Sequence, residues 1–286
     1  MSTFKINISR ELAAEYGREA VRITESGEYV APSSRVVKIA QMVRRSVDET
    51  VSYPPDQPFQ ESARGPYQTV IKVENITTLE AARTLIAQGF HPAALNFASA
   101  THPGGGFLGG ARAQEEYLAR SSGLYACIRD NPMYAYHRSR RDPLYSNYAI
   151  YSPEVPVFRS DDGELLDEPY TLGIITSPAV NAGKVVFERK NEIGPAMWLR
   201  ILKVLSIGVK HGHDAMVLGA WGCGAFGNDG HEIASLFQKA LEENFKGSYR
   251  RIVFAIVDWS RNRRFIGPFQ EAFKASMNRL KGSRNI

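Results

Sequence analysis

Three consecutive residues, Gln114-Glu115-Glu116, and two glycine-rich runs have the types and spacing to do chemistry: Gly104-Gly105-Gly106-Phe107-Leu108-Gly109 and Gly222-Cys223-Gly224-Ala225-Phe226-Gly227. Residues without a Cβ let the backbone approach a ligand closely, and successive N–H groups in such turns form a nest for an anion. Each run matches GxGxxG. One match alone is a common structural turn, but each of these follows an apolar stretch and precedes a helical pattern, where open α/β sheets bind ligands. Two such loops suit the two phosphates of a diphosphate. Glutamates next to a phosphate cradle suit acid/base work at a sugar attached to that diphosphate. A glycosidic oxygen leaves well only once protonated, and the developing ribosyl cation is stabilised by a nearby negative charge. Glu115 and Glu116 are adjacent, so they are expected to point in different directions, one toward the scissile bond and the other toward a hydroxyl or solvent. By itself, an acidic pair would read as decoration of an exposed helix start.

A dinucleotide fold of the Rossmann type is disfavoured. That fingerprint opens a helix directly onto the pyrophosphate and places an acidic residue about 20 positions on, at the end of the next strand. Here the glycines lead to two glutamates, which would repel a pyrophosphate placed beside them, and the downstream stretch is helical. Neither a nicotinamide nor a flavin cofactor is expected. Nor is a metal: His91, His102, His137, His211, His213 and His231 show no ligand spacing and read as scattered, solvated side chains. Cys127 and Cys223 form no CxxC and read as buried free thiols.

The elements that must position these groups follow from periodicity. Residues 10–24 and 34–47 carry helical patterns, and the run 53–58, with three prolines, reads as a linker. From about residue 68, apolar strands (69–73, 93–98, 148–151, 172–176, 215–219, 252–257) alternate with helices (78–88, within 111–128, 192–210, 231–245, 268–280). The run 252–257 is apolar throughout, as expected of a strand covered on both faces. Asp229 and Glu232 have capping-box spacing, and Gly247 can close that helix. Residues 134–168 interrupt the alternation with a Tyr- and Arg-rich loop and a hairpin over Asp161-Asp162-Gly163. This predicts a three-layer α/β/α sandwich over residues 61–286, preceded by an N-terminal helical extension over 1–60.

Composition agrees with a globular protein. Of 286 residues, 43% are hydrophobic and 23% charged, which excludes a disordered or fibrous chain. Lys plus Arg number 35 against 30 acidic residues, a net +5 that mildly favours anionic partners. Basic clusters at Arg138-Ser139-Arg140-Arg141 and Arg261-Asn262-Arg263-Arg264 could attract a polyanion. No membrane span or signal peptide is read, so a soluble, cytoplasmic protein is expected, or a nuclear one from a eukaryotic source.

The segment GGG at Gly104 to Gly106, seven intervening residues, then Gln114-Glu115-Glu116, resembles the signature of poly(ADP-ribose) glycohydrolases. The strings LNFASA at 95–100 and GAWGCGAFGN at 219–228 are similar to the bacterial-type (microbial) branch. The resemblance runs from about Gln68 to the C-terminus. It implies a macrodomain with a mixed central sheet that cleaves ribose–ribose O-glycosidic bonds of poly(ADP-ribose) and releases ADP-ribose, without cofactor or metal. Glu116 would be the catalytic acid/base and Glu115 would orient ribose hydroxyls. Gly104, Gly105 and Gly106 would border the catalytic loop and the diphosphate. Gly222, Cys223, Gly224, Ala225, Phe226 and Gly227 would form the second diphosphate loop, with Phe226 against the terminal ribose. Ser99 stands where many macrodomains have an asparagine facing that ribose, and residues 177–181 are a place to look for adenine contacts. Expected partners are poly(ADP-ribose), ADP-ribose and poly(ADP-ribosyl)ated proteins, with neither membrane nor sequence-specific nucleic acid. Reversal of ADP-ribosylation in the DNA damage response would be the setting. A non-catalytic ADP-ribose-binding macrodomain and a mono-ADP-ribosyl hydrolase are the alternatives.

Overall fold

The computed structural model describes residues 8–275. Its elements are, in chain order, α1 (Arg10–Ser26), β1 (Glu28–Val30), β2 (Val36–Lys38), α2 (Ala40–Asp48), β3 (Val51–Tyr53), β4 (Val70–Glu74), α3 (Thr78–Ala87), β5 (Pro92–Phe97), α4 (Gln114–Ser121), α5 (Leu124–Ile128), α6 (Pro132–Arg140), β6 (Ala149–Arg159), β7 (Leu165–Ser177), α7 (Ile193–Lys210), β8 (Ala215–Leu218), α8 (Gly230–Lys239), β9 (Arg251–Ala255) and α9 (Gly267–Ala272). Seven strands form one sheet in the order β3-β6-β7-β5-β8-β9-β4. The pairs β4/β9, β8/β9 and β5/β8 are parallel and β6/β7 is antiparallel, so the sheet is mixed and helices flank it, as expected. Every residue of β8 is buried, as helical cover on both faces requires. Among the described residues, no helix is long and apolar enough to cross a membrane.

By its internal packing the chain divides into two compact units. The first holds the described residues up to Tyr53 together with Asn96–Arg140 and Ile150–Thr176. Helix α1 begins at Ser9, whose hydroxyl accepts the Leu12 amide at 3.1 Å, and ends at Gly27 in the left-handed conformation. It buries a stripe of mostly small residues, Ala13, Ala14, Gly17, Ala20 and Ile23. The helix expected over 34–47 forms only from Ala40. Val36 to Lys38 instead pair with β1 around a turn in which Ser34 has φ 66°, because the hairpin buries Val37 with Ile23, Tyr29 and Phe158. Residues 134–140, expected in a loop, belong to α6. The Asn131 side chain accepts the Met133 amide at 3.0 Å and Pro132 opens the helix, so a pair that reads as a breaker acts as a cap. The hairpin over Asp161-Asp162-Gly163 forms as expected, between strands longer than the pattern suggested.

The second unit holds Pro54–Leu95, Arg141–Ala149 and the described residues from Ser177. Asp229 caps α8 by accepting the His231 and Glu232 amides at 2.7 and 3.2 Å. The expected helix 231–245 is α-helical to Lys239 and widens into a π turn over Ala240–Asn244, which still buries Phe245. A run of packed aromatic rings, Trp221, Phe237, Phe254 and Phe269, fills the core, with centroids 5.2 to 6.5 Å apart. The α-helix expected over 268–280 spans Gly267–Ala272, and residues 276–280 lie outside the described ones.

Two histidines depart from the expectation of solvated side chains. His137 in the first unit and His213 in the second are buried. His213 stacks on His91 at 4.3 Å, and burial pushes its pKa down to about 4, so it stays neutral. Cys127 and Cys223 are buried free thiols, as expected.

Candidate active site

In the first unit, β5 ends at Phe97 and the chain loops back to α4, which opens on Gln114-Glu115-Glu116. Each of these three side chains accepts a backbone amide. Gln114 Oε1 takes Phe97 N–H at 2.9 Å, Glu115 Oε2 takes Ser99 N–H at 2.6 Å, and Glu116 Oε1 takes Gly106 N–H at 2.9 Å. Glu116 Oε2 also accepts from Ala113 N–H at 3.0 Å, the carboxylate half of a capping box, at the helix end where the macrodipole favours negative charge. The two glutamates do not point apart as expected. Both carboxylates reach Gly105, where a Cβ would stand 2.3 Å from Glu116 Oε1 and 3.0 Å from Glu115 Oε2, so φ 59° is only half of why this residue is glycine. Neighbours in a helix are about 100° apart, and long side chains can close that angle. Ser99 holds the start of the loop, its hydroxyl accepting the His102 amide at 3.2 Å.

Glu115 is 3% and Glu116 9% exposed. Burial pushes the Glu115 pKa up to about 8; the charge of Glu116 adds to this, while hydrogen bonding from Ser99, Asn96 and Gly104 opposes it. Glu115 Oε2 accepts from Ser99, and Oε1 is buried as well. Asn96 Nδ2 donates to Thr176 Oγ1 at 3.2 Å. Arg120, one turn beyond Glu116, is buried and donates to Ala111 O at 3.1 Å. Burial lowers its pKa to about 10, against the pull of Glu116.

The second glycine run lies in the second unit. Gly222 and Gly227 have φ 77° and 70°, and a Cβ at Gly222 would be 2.5 Å from Asn228 Nδ2 and 2.6 Å from Ala179 Cβ. Asn228 staples the loop, donating from Nδ2 to Val180 O at 2.7 Å and Gly222 O at 3.1 Å. Gly224 has nothing within 4 Å of a Cβ position, so open space lies above it. The amides of Cys223, Gly227 and Asn228 donate within the turn to the carbonyls of Ala220, Gly224 and Gly222. The amides of Gly224, Ala225 and Phe226 have no acceptor among the described residues, which leaves three successive donors for an anion. Tyr145, at φ 55°, places its ring 6.1 Å from Phe226. Burial pushes the Cys223 thiol up to about 12, so it is inert at neutral pH. Residues 177–181 are buried, and Val180 O is the carbonyl that Asn228 holds.

The structure thus joins Ser99, Gly104, Gly105, Gly106, Gln114, Glu115 and Glu116 within the first unit. It places Gly222, Cys223, Gly224, Ala225, Phe226 and Gly227 on one loop of the second. Asn96, Arg120, Tyr145 and Asn228 were missed by sequence reasoning. A polar residue inside an apolar strand pattern marked Asn96, and the i,i+4 spacing from Glu116 marked Arg120. Nothing local marked Tyr145. Of the basic clusters, Arg138 donates to Thr101 O at 2.7 Å and Arg140 lies over the Tyr136 ring at 3.5 Å, while Arg263 and Arg264 line a cavity of ≈ 540 Å³ beside Cys223 and Asp229.

The family described as microbial-type PARG, catalytic domain, matches residues 17–160. Comparison with curated proteins gives no match. Among solved structures, poly(ADP-ribose) glycohydrolase from Thermomonospora curvata is 45% identical, with a TM-score of 0.85 over 94% of this chain and 99% of that one. The same enzyme bound to the inhibitor ADP-HPD is 44% identical, with a TM-score of 0.83 over 94% and 99%. The enzyme from Deinococcus radiodurans in complex with ADP-ribose is 38% identical, with a TM-score of 0.78 over 84% and 99%. A paired-glutamate helix start behind a glycine loop, on a mixed α/β sheet shared with these enzymes, places the chain in the microbial-type poly(ADP-ribose) glycohydrolase family.

Proposed function

We propose that this glycoside hydrolase cleaves ribose–ribose bonds of poly(ADP-ribose) with Glu116 as general acid and base and Glu115 as the group that orients the ribose hydroxyls. The observation that carries the reading is the anchoring of both carboxylates to backbone amides around Gly105, which fixes them without a flexible partner. In the proposed step, Glu116, carrying a proton in the substrate complex, gives it to the departing ribose oxygen as the C–O bond breaks. The oxocarbenium-like centre is stabilised by the resulting carboxylate and the substrate's own diphosphate. Glu116 then takes a proton from water, whose oxygen bonds to that carbon, and the acid is restored. Burial keeps Glu115 largely protonated at neutral pH, which lessens repulsion between the glutamate pair and an anionic substrate.

The second loop supports diphosphate binding through the free amides of Gly224, Ala225 and Phe226, and Phe226 with Tyr145 offers an aromatic wall to a ribose. The Gly105 and Gly106 amides are engaged by His102 O and Glu116, so this loop would border the ligand rather than supply its amide nest. Poly(ADP-ribosyl)ated proteins as substrates, reversal of the modification after DNA damage, and a cytoplasmic location complete the proposal.

The test is Glu116→Gln, which keeps size and one of the two amide bonds but can neither donate an acid proton nor stabilise a cation by charge. Polymer hydrolysis should fall by about 10² to 10⁴, with ADP-ribose affinity within severalfold of wild type and a smaller loss for Glu115→Gln. Turnover of polymer by Glu116→Gln near the wild-type rate refutes the assignment. Identification of the products from polymer and from mono-ADP-ribosylated protein separates the glycohydrolase from a mono-ADP-ribosyl hydrolase.

A further inference from the structure

The loop that carries Gly104, Gly105 and Gly106 is held by a single 3₁₀ turn over Phe107–Gly109, and Gly104, Gly105 and Gly110 have positive φ. Its backbone lies against α1 within the first unit. A Cβ on Gly17 would stand 2.8 Å from the Phe107 carbonyl oxygen and 3.1 Å from Cδ2 of its ring. The Phe107 ring is buried, 4.8 Å from that of Tyr125, and a Cβ on Gly104 would meet its Cδ1 at 3.0 Å. Further along, Arg10 Nε donates to Gly109 O at 2.9 Å, and a Cβ on Gly110 would reach 2.0 Å from Arg10 O. Arg112 Nη1 donates back to Ile8 O at 2.8 Å. On its other edge the same loop gives Gly106 N–H to Glu116 and packs Gly105 against both glutamates. The group that touches Gly17 belongs to the residue next to the one whose amide holds Glu116.

We infer that α1, through Gly17 and Arg10, positions the glycine loop against Glu116, so that the N-terminal helix belongs to the catalytic machinery. Gly17 and Arg10 are positioning residues: they act on the reaction through Phe107, Gly109 and Gly106. Misplacement of a reacting group by about 1 Å can cost on the order of 10² in rate, and the gap at Gly17 leaves no room for even a methyl group. The inference rests on the reading of Glu116 as the acid/base.

Gly17→Ala tests it with one added carbon. Helix propensity favours alanine inside α1 while overpacking against Phe107 opposes it, so a merely structural role moves Tm and leaves turnover by the folded protein unchanged. Positioning predicts kcat on poly(ADP-ribose) lowered about tenfold or more, with ADP-ribose Kd within threefold and Tm within a few degrees of wild type. Arg10 is exposed, so Arg10→Met keeps the fold while removing the bond to Gly109, and it should lower kcat severalfold without raising KM. It decides the matter if Gly17→Ala fails to fold. Wild-type kcat in the folded variants, or a change confined to KM, overturns the inference. If Glu116→Gln is inactive while both α1 variants are normal, only this inference fails; if Glu116→Gln is active, the underlying assignment fails first.

Discussion

Replacing Glu115 by glutamine should change how the protein's stability depends on pH. In the folded protein burial holds the Glu115 proton up to about pH 8, whereas the unfolded chain releases it near the ordinary 4.5. Between these values the native state binds more protons than the unfolded one, so this residue's contribution is complete below about pH 4.5 and is lost as pH rises toward 8. The slope can reach about 1.4 kcal/mol per pH unit, and the gap between 4.5 and about 8 sets an upper bound of about 5 kcal/mol. Glutamine stays neutral at every pH, and its oxygen can still accept the Ser99 amide. Urea unfolding of both proteins at intervals from pH 4 to 9 isolates the effect, because other carboxylates cancel in the difference. The two should be of similar stability near pH 4, and Glu115→Gln should become the more stable by up to several kcal/mol near pH 9. A difference that is flat across pH 5 to 8 would refute a buried proton on Glu115.

Glycines at the two loops should fail in different ways. Gly105→Ala combines φ 59° with a methyl group 2.3 Å from Glu116 Oε1; it should cost about 1–2 kcal/mol in urea unfolding and lower polymer hydrolysis at least ~10-fold by displacing the carboxylate. Gly222→Ala meets Asn228 and Ala179 at a left-handed position, so a loss of about 2–4 kcal/mol is expected from strain and overpacking together. Gly224→Val, whose Cβ meets nothing within 4 Å among the described residues, should leave Tm within about two degrees while weakening ADP-ribose in a binding titration. Unchanged affinity in Gly224→Val would remove that open space from the ligand site.

The chemistry was legible in the sequence because it depends on residue type at short spacing. Gln114-Glu115-Glu116 behind a glycine run, the cap at Asp229, and strands alternating with amphipathic helices are local features, and local sterics and hydrogen bonding realise them as read. Element ends were less legible where partners far along the chain decide them. Val36 and Val37 form a strand because Glu28 to Val30 lie alongside, and Asn131-Pro132 starts a helix where the same pair elsewhere ends one. Nothing in the spacing said that both glutamates would meet at Gly105, that Glu115 would keep its proton, or that Gly222 would be confined and Gly224 open. Those properties come from what is packed around each atom. Burial sets the cost of a charge, and a neighbouring backbone sets the room for a Cβ, so residues of one type in one motif acquire different roles only when the chain folds around them.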